Sequence, residues 1–137
     1  IDAQATDAVV AWFTGADNIA TIKVAFSEDS GVTFGPAFQV DSGESVGRVG
    51  TLMLATGDAL ISWVEWTSDG EVLMLCRATK NDGCVARQTI TEHAAAGSFN
   101  FPKLARSGDT IYLAWTQPID SKVGFSTIRM VAFDLSD

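Results

Sequence analysis

Few side chains in this 137-residue sequence are equipped for chemistry. His93 is the only histidine, so neither a Ser-His-Asp triad nor a histidine-rich metal site can be assembled. No G-x-G-x-x-G or G-x-x-x-x-G-K-[ST] run is present to cradle phosphates. Acidic turns such as Asp17-Asn18 and Asp69-Gly70 offer oxygen ligands for calcium. No loop has EF-hand spacing, however, and neither a metal nor a cofactor is expected. What remains is five arginines (Arg48, Arg77, Arg87, Arg106 and Arg129), the carboxylate of Glu65, one tyrosine, Tyr112, and two cysteines. Guanidinium groups bind carboxylates bidentately, and a carboxylate can act as a general base.

Cys76 and Cys84 are eight residues apart and flank a hairpin over 77–83. Across such a hairpin they can face each other within disulfide reach. They are too few for a zinc cluster, and their spacing is not C-x-x-C. A disulfide implies an oxidising compartment: periplasm, cell surface or exterior. Two free buried thiols are the alternative.

These groups must be positioned by strands. Apolar residues make up 47% of the chain and charged residues 19%, enough for a core and too little charge for disorder. The net charge of −8 does not attract nucleic acid or anionic lipid non-specifically, and no apolar run is long enough to span a membrane. Short runs rich in Val, Ile, Leu, Thr, Phe and Trp alternate with turn clusters such as Asp29-Ser30-Gly31, Ser68-Asp69-Gly70 and Asn81-Asp82-Gly83. This pattern predicts an all-β fold of hairpin-linked strands. Only 91–97 has a composition that tolerates helix, and it reads as a loop with at most one turn.

An internal repeat organises the strands. Ala8-Val9-Val10-Ala11-Trp12, Ala59-Leu60-Ile61-Ser62-Trp63 and Ile111-Tyr112-Leu113-Ala114-Trp115 share one pattern, with tryptophans spaced 51 and 52 residues apart. Each follows a turn ending in Asp7, Asp58 or Asp109. A period near fifty with about four strands per unit is the spacing of β-propeller blades. The units run over approximately 1–47, 48–98 and 99–137, about two and two-thirds blades. A ring needs about four, so the chain is expected to be part of a longer protein or to complete its ring with other chains.

The run Ser27-Glu28-Asp29-Ser30-Gly31-Val32-Thr33-Phe34 fits S-x-D-x-G-x-x-[W/F]. Its chemistry is that of a turn: Asp29 accepts backbone amides, Gly31 supplies positive φ, and Phe34 returns the chain into the layer between sheets. It falls between the third and outermost strands of its unit. A decayed copy, Thr79-Lys80-Asn81-Asp82-Gly83, lies 52 residues on. A sugar-binding loop is the functional reading of this run; a staple for the outer rim is the structural one.

With this motif on this period, the chain resembles the sialidase-like β-propellers with Asp-box (BNR) repeats. It is similar to the C-terminal half of bacterial exo-α-sialidase-like proteins, usually six-bladed. The resemblance also rests on Gly47-Arg48-Val49 and on the run from Phe101 to Asp109. Sialidase chemistry needs three converging arginines, a Tyr nucleophile assisted by a Glu, and an Asp acid/base. The nucleophile motif is not matched here, and Tyr112 reads as packing. Arg48 lies at the entry to an innermost strand, where ligand-facing loops would begin; it is a candidate for anion contact, or a loop arginine pairing with Glu44. Glu65 is a candidate base near the central cleft, or a rim or inter-blade carboxylate. Arg77 and Arg106 read as surface charges. Trp66, Phe99 and Phe101 offer a sugar-stacking platform or inter-blade core.

The resemblance therefore implies an extracytoplasmic propeller segment, non-catalytic by itself, serving binding or assembly. Its partners would be further blades, of the same protein or of other chains, and a glycan or protein ligand. The alternative is part of an exo-α-sialidase-type glycoside hydrolase whose catalytic residues lie mostly in other blades. Neither reading involves nucleic acid or a membrane span.

Overall fold

Short β-branched and aromatic runs, each closed by Gly, Asp or Asn, can bury an apolar face only by pairing with a neighbour and stacking on another sheet. The computed structural model describes residues 1–94, 99–119 and 122–135, and for 92–94 the main chain only. It contains three antiparallel sheets in which consecutive strands are neighbours. The first comprises β1 (Asp2–Gln4), β2 (Asp7–Thr14), β3 (Thr21–Ser27) and β4 (Phe38–Gln39). The second comprises β5 (Ser45–Met53), β6 (Ala59–Thr67), β7 (Gly70–Thr79) and β8 (Gly83–Ala94). The third comprises β9 (Lys103–Ser107), β10 (Thr110–Pro118) and β11 (Ser126–Asp134). A single 3-10 turn, Ala16–Asn18, is the only helical element among the described residues.

The expected strands are present, with one extension. Thr91–Ala94, read from sequence as loop, continues β8, where Thr91 pairs with Leu73 and Ala94 with Glu71. A ladder to a buried neighbour overrides the weak strand preference of alanine. Residues 95–97 of that expected loop lie outside the described residues.

Side-chain alternation sorts the core into two layers with the second sheet between them. Ala59, Ile61 and Trp63 of β6 join Val9, Ile22, Val24 and Phe26 of the first sheet, and Val40 just after β4. Leu60 and Val64, on the opposite face of β6, join Ile111, Leu113 and Trp115 of the third sheet. Trp63 and Trp115 thus each point at the preceding sheet and are 0% and 8% exposed. Trp12 occupies the same register in β2, three residues from inward-facing Val9, so it points away from the second sheet; it is half-buried.

Polar links join the sheets as well. The Met53 amide donates to Asp2 Oδ2 at 2.6 Å. Arg87 donates to the Val40 carbonyl and lays its guanidinium 5.7 Å from the Trp63 ring centroid. Gly50 faces Ser62 so closely that a Cβ there would sit 2.7 Å from Ser62 Oγ, so only glycine fits without displacing its neighbour.

Candidate functional site

The first strands of the three sheets approach one another, β5 contacting both β1 and β9. Arg48 lies on β5, inside the strand rather than at its entry as expected. The register slips from Gly47 opposite Val64 to Gly50 opposite Ser62, so the bulge inserts one extra residue around Arg48. Its φ is 56°, a left-handed conformation that costs energy in any residue with a Cβ. One guanidinium nitrogen, Nη1, is buried without a hydrogen-bond partner. The alternative reading, a pairing with Glu44, does not hold: the ion pairs among the described residues are Arg77–Asp58 and Lys80–Glu28.

Glu65 is buried on β6, on the same face as Trp63. Its Oε1 accepts the Trp63 indole N–H at 2.8 Å and the Ser42 amide at 2.9 Å, and its Oε2 accepts the Ser42 hydroxyl at 3.2 Å. The carboxylate therefore ties the connection between the first two sheets to the core of the second, and the Trp66 amide adds a bond to the Glu44 carbonyl at 2.8 Å. It makes no ion pair with Arg48. Trp115 repeats the motif, donating to Gln117 Oε1 at 3.1 Å. Trp-x-Glu and Trp-x-Gln recur at the repeat period, a sequence signal for this role.

The Ser27–Phe34 turn joins β3 to β4. Ser27 Oγ donates to Asp29 Oδ1 at 2.8 Å and accepts the Gly31 amide at 2.9 Å. Asp29 Oδ1 also accepts the Thr33 amide at 2.8 Å, and Oδ2 accepts the Thr33 hydroxyl at 2.6 Å. Hydrogen bonds from the Thr33 side chain, the Thr33 amide and Ser27, in that order, hold the Asp29 carboxyl down at about 2. Ser30 and Gly31 take positive φ, 58° and 82°. Phe34 departs from expectation. It is 42% exposed, because the Gly35 amide bonds back to the Phe26 carbonyl at 2.9 Å and the chain enters the inter-sheet layer only afterwards. Phe38 does the anchoring instead, stacking on Phe26 with centroids 6.1 Å apart.

Cys76 and Cys84 form a disulfide with Cα atoms 5.8 Å apart, so neither is a free thiol. They are not directly opposite, since Cys84 pairs with Ala78 and Cys76 with Arg87. Arg77 is held by Asp58, its Nε at 2.8 Å, while Arg106 is exposed. The aromatic candidates separate: Phe99 is core, whereas Trp66 and Phe101 are exposed rather than inter-sheet. The His93 side chain lies outside the described residues. Beside the outer edge of β11 an open cavity of about 1080 Å³ is lined by Thr89, Thr91, Gln117, Thr127 and Arg129. Among the described residues no three acidic, histidine or cysteine side chains are grouped to hold a metal, and no helix is long and apolar enough to cross a membrane.

These features define a class by architecture alone: stacked antiparallel meanders with a stapled outer turn. No family model, curated protein or solved structure matches the chain.

Proposed function

We propose that this chain is a run of consecutive sialidase-like β-propeller blades acting outside the cytoplasm as a binding or assembly element, without catalysis of its own. One observation carries the reading: the tryptophan at a fixed place in the second and third repeats points at the preceding sheet, with the first strands gathered together. Blades around an axis are arranged in this way. The disulfide is compatible with an oxidising compartment. Glu65 supports a structural role because three hydrogen bonds already occupy its oxygens. The arginines are dispersed, with Arg77 on Asp58 and Arg87 over Trp63. Arg48, strained and with an unpaired nitrogen, is the residue placed to meet an anionic group of a glycan or protein ligand.

The test is a fluorogenic sialoside assay on the purified chain. The expected result is no release of fluorophore above buffer. Turnover that disappears in Glu65→Gln or Arg48→Ala would make the chain a hydrolase and overturn the reading.

A further inference from the structure

At the outer rim, the turn after β3 and the turn after β7 stand side by side and leave an open cleft between them. It measures about 560 Å³ and is lined by Glu28, Thr33, Phe34 and Pro36 of the first turn and by Lys80 and Asn81 of the second. The first and second sheets each carry four strands, and the cleft opens at the seam between them. A further sheet stacked on either end of the molecule would therefore not fill it. Three of its groups are not consumed by the fold. The packing expected of Phe34 is done by Phe38, so the Phe34 ring, 42% exposed, is left on the wall of the cleft. The Asn81 carboxamide has no hydrogen-bond partner among the described residues. The Lys80–Glu28 ion pair crosses between the turns through Glu28 Oε1, which leaves Glu28 Oε2 and the other ammonium protons of Lys80 for a ligand.

This set of groups fits one chemistry. An exposed aromatic face takes the C–H face of a saturated ring. A primary amide and an ion pair with spare donors and acceptors take hydroxyl groups, which both donate and accept. An aliphatic chain laid here would desolvate the amide and the ion pair and return no hydrogen bonds. An anion would meet the carboxylates of Glu28 and Asp29 on a chain of net charge −8. A cation would have to take Glu28 from Lys80. We propose that the cleft binds a neutral saccharide, with one pyranose ring stacked on Phe34 and its hydroxyls on Asn81 and the Lys80–Glu28 pair. Asp29 stays outside the contact, because its oxygens already bond Ser27 and Thr33 and its work is to hold the turn. The site lies at the outer rim, whereas Arg48 lies on β5. It goes beyond the proposed function and needs neither Arg48 nor the reading of the sheets as blades.

The test is saturation-transfer NMR and calorimetric titration of the 137-residue chain with cellobiose, maltose, lactose and N,N′-diacetylchitobiose, and with a sialylated lactose as the charged comparison. At least one neutral disaccharide is expected to bind with a Kd of roughly 1 mM, as an open site with few contacts allows, and the sialylated sugar more weakly than that one. Phe34→Ala should weaken binding by roughly tenfold or more, and Asn81→Ala by less. Phe125→Ala removes an exposed ring on the turn between β10 and β11 and should change nothing. Melting curves accompany each variant. Asn81→Ala removes no hydrogen bond of the fold, so it reports on the site even if Phe34→Ala unfolds. The proposal is overturned if none of the four neutral sugars shows transfer, or if Phe34→Ala and Asn81→Ala both leave the affinity alone. It is overturned equally if Phe125→Ala causes the same loss, or if the sialylated sugar binds more tightly than every neutral one. The blade reading would survive all of these outcomes, since sialoside turnover tests it separately.

Discussion

The turns after β3 and β7 occupy one place in the repeat and are closed by different chemistry. After β3 the chain takes a wide excursion held by Asp29, Ser27 and Thr33, and returns as a strand of two residues anchored by Phe38 on Phe26. After β7 it turns tightly, with Thr79 and Asp82 bonded to each other, and returns as the twelve-residue β8 crosslinked through Cys76–Cys84. The two turns also touch, through the ion pair between Glu28 and Lys80, which are themselves repeat counterparts. The outer rim of a meander must be pinned because an edge strand has only one neighbour. A hydrogen-bonded staple and a covalent one both satisfy that need, but acid threatens the first and a reductant the second.

Three substitutions separate the two solutions. The largest effect is expected from Phe26→Ala, which removes the ring under Phe38 and opens a cavity in the layer between sheets. A loss of about 3–5 kcal/mol by urea denaturation is expected, and a loss below that of the disulfide variant would show that packing does not hold the first rim. Next is the double change Cys76→Ser and Cys84→Ser. The bridge spans a sequence separation of 8, for which chain entropy gives about 2–3 kcal/mol. Reductant should destabilise the native chain by a similar amount and leave the variant untouched.

The smallest effect is expected from Asp29→Ala, and its pH dependence is its signature. Asp29 is depressed from 3.8 to about 2 on folding, so its contribution is complete above the unfolded value and is lost as pH falls through the folded one. The melting temperatures of native and variant chains should differ at pH 7, draw together below about pH 3.8 and coincide below about pH 2. A difference that persists at that acidity would mean the carboxylate is not what staples the turn. The disulfide variant should show no such convergence.

Much of this was legible in the residues. The period of the tryptophans, the Asp-ended turns before them and the alternation of apolar positions located nearly every strand, because strand pairing and turn chemistry are local. The turn at Asp29 was legible for the same reason, since donors and acceptor lie within six residues of one another. Phe34 was misjudged because an aromatic residue after a turn signals burial only if the chain has already re-entered the sheet, and here Gly35 makes that return. Ser42 on Glu65 was out of reach, since the bond spans 23 residues and depends on how the connection folds over β6.

By itself, then, the sequence determined the all-β class, the repeat, the chemistry of the turns and the placement of the two cysteines on one hairpin within reach of each other. All of these follow from contacts a few residues long or from a period that survives translation along the chain. Tertiary structure alone decided which face of each sheet is covered and that Glu65 is already engaged. It also decided that Arg48 sits strained within β5 with a nitrogen unpaired. Those outcomes depend on the stacking of whole sheets, and identical patterns in β3, β7 and β11 can be buried or bare according to what lies against them.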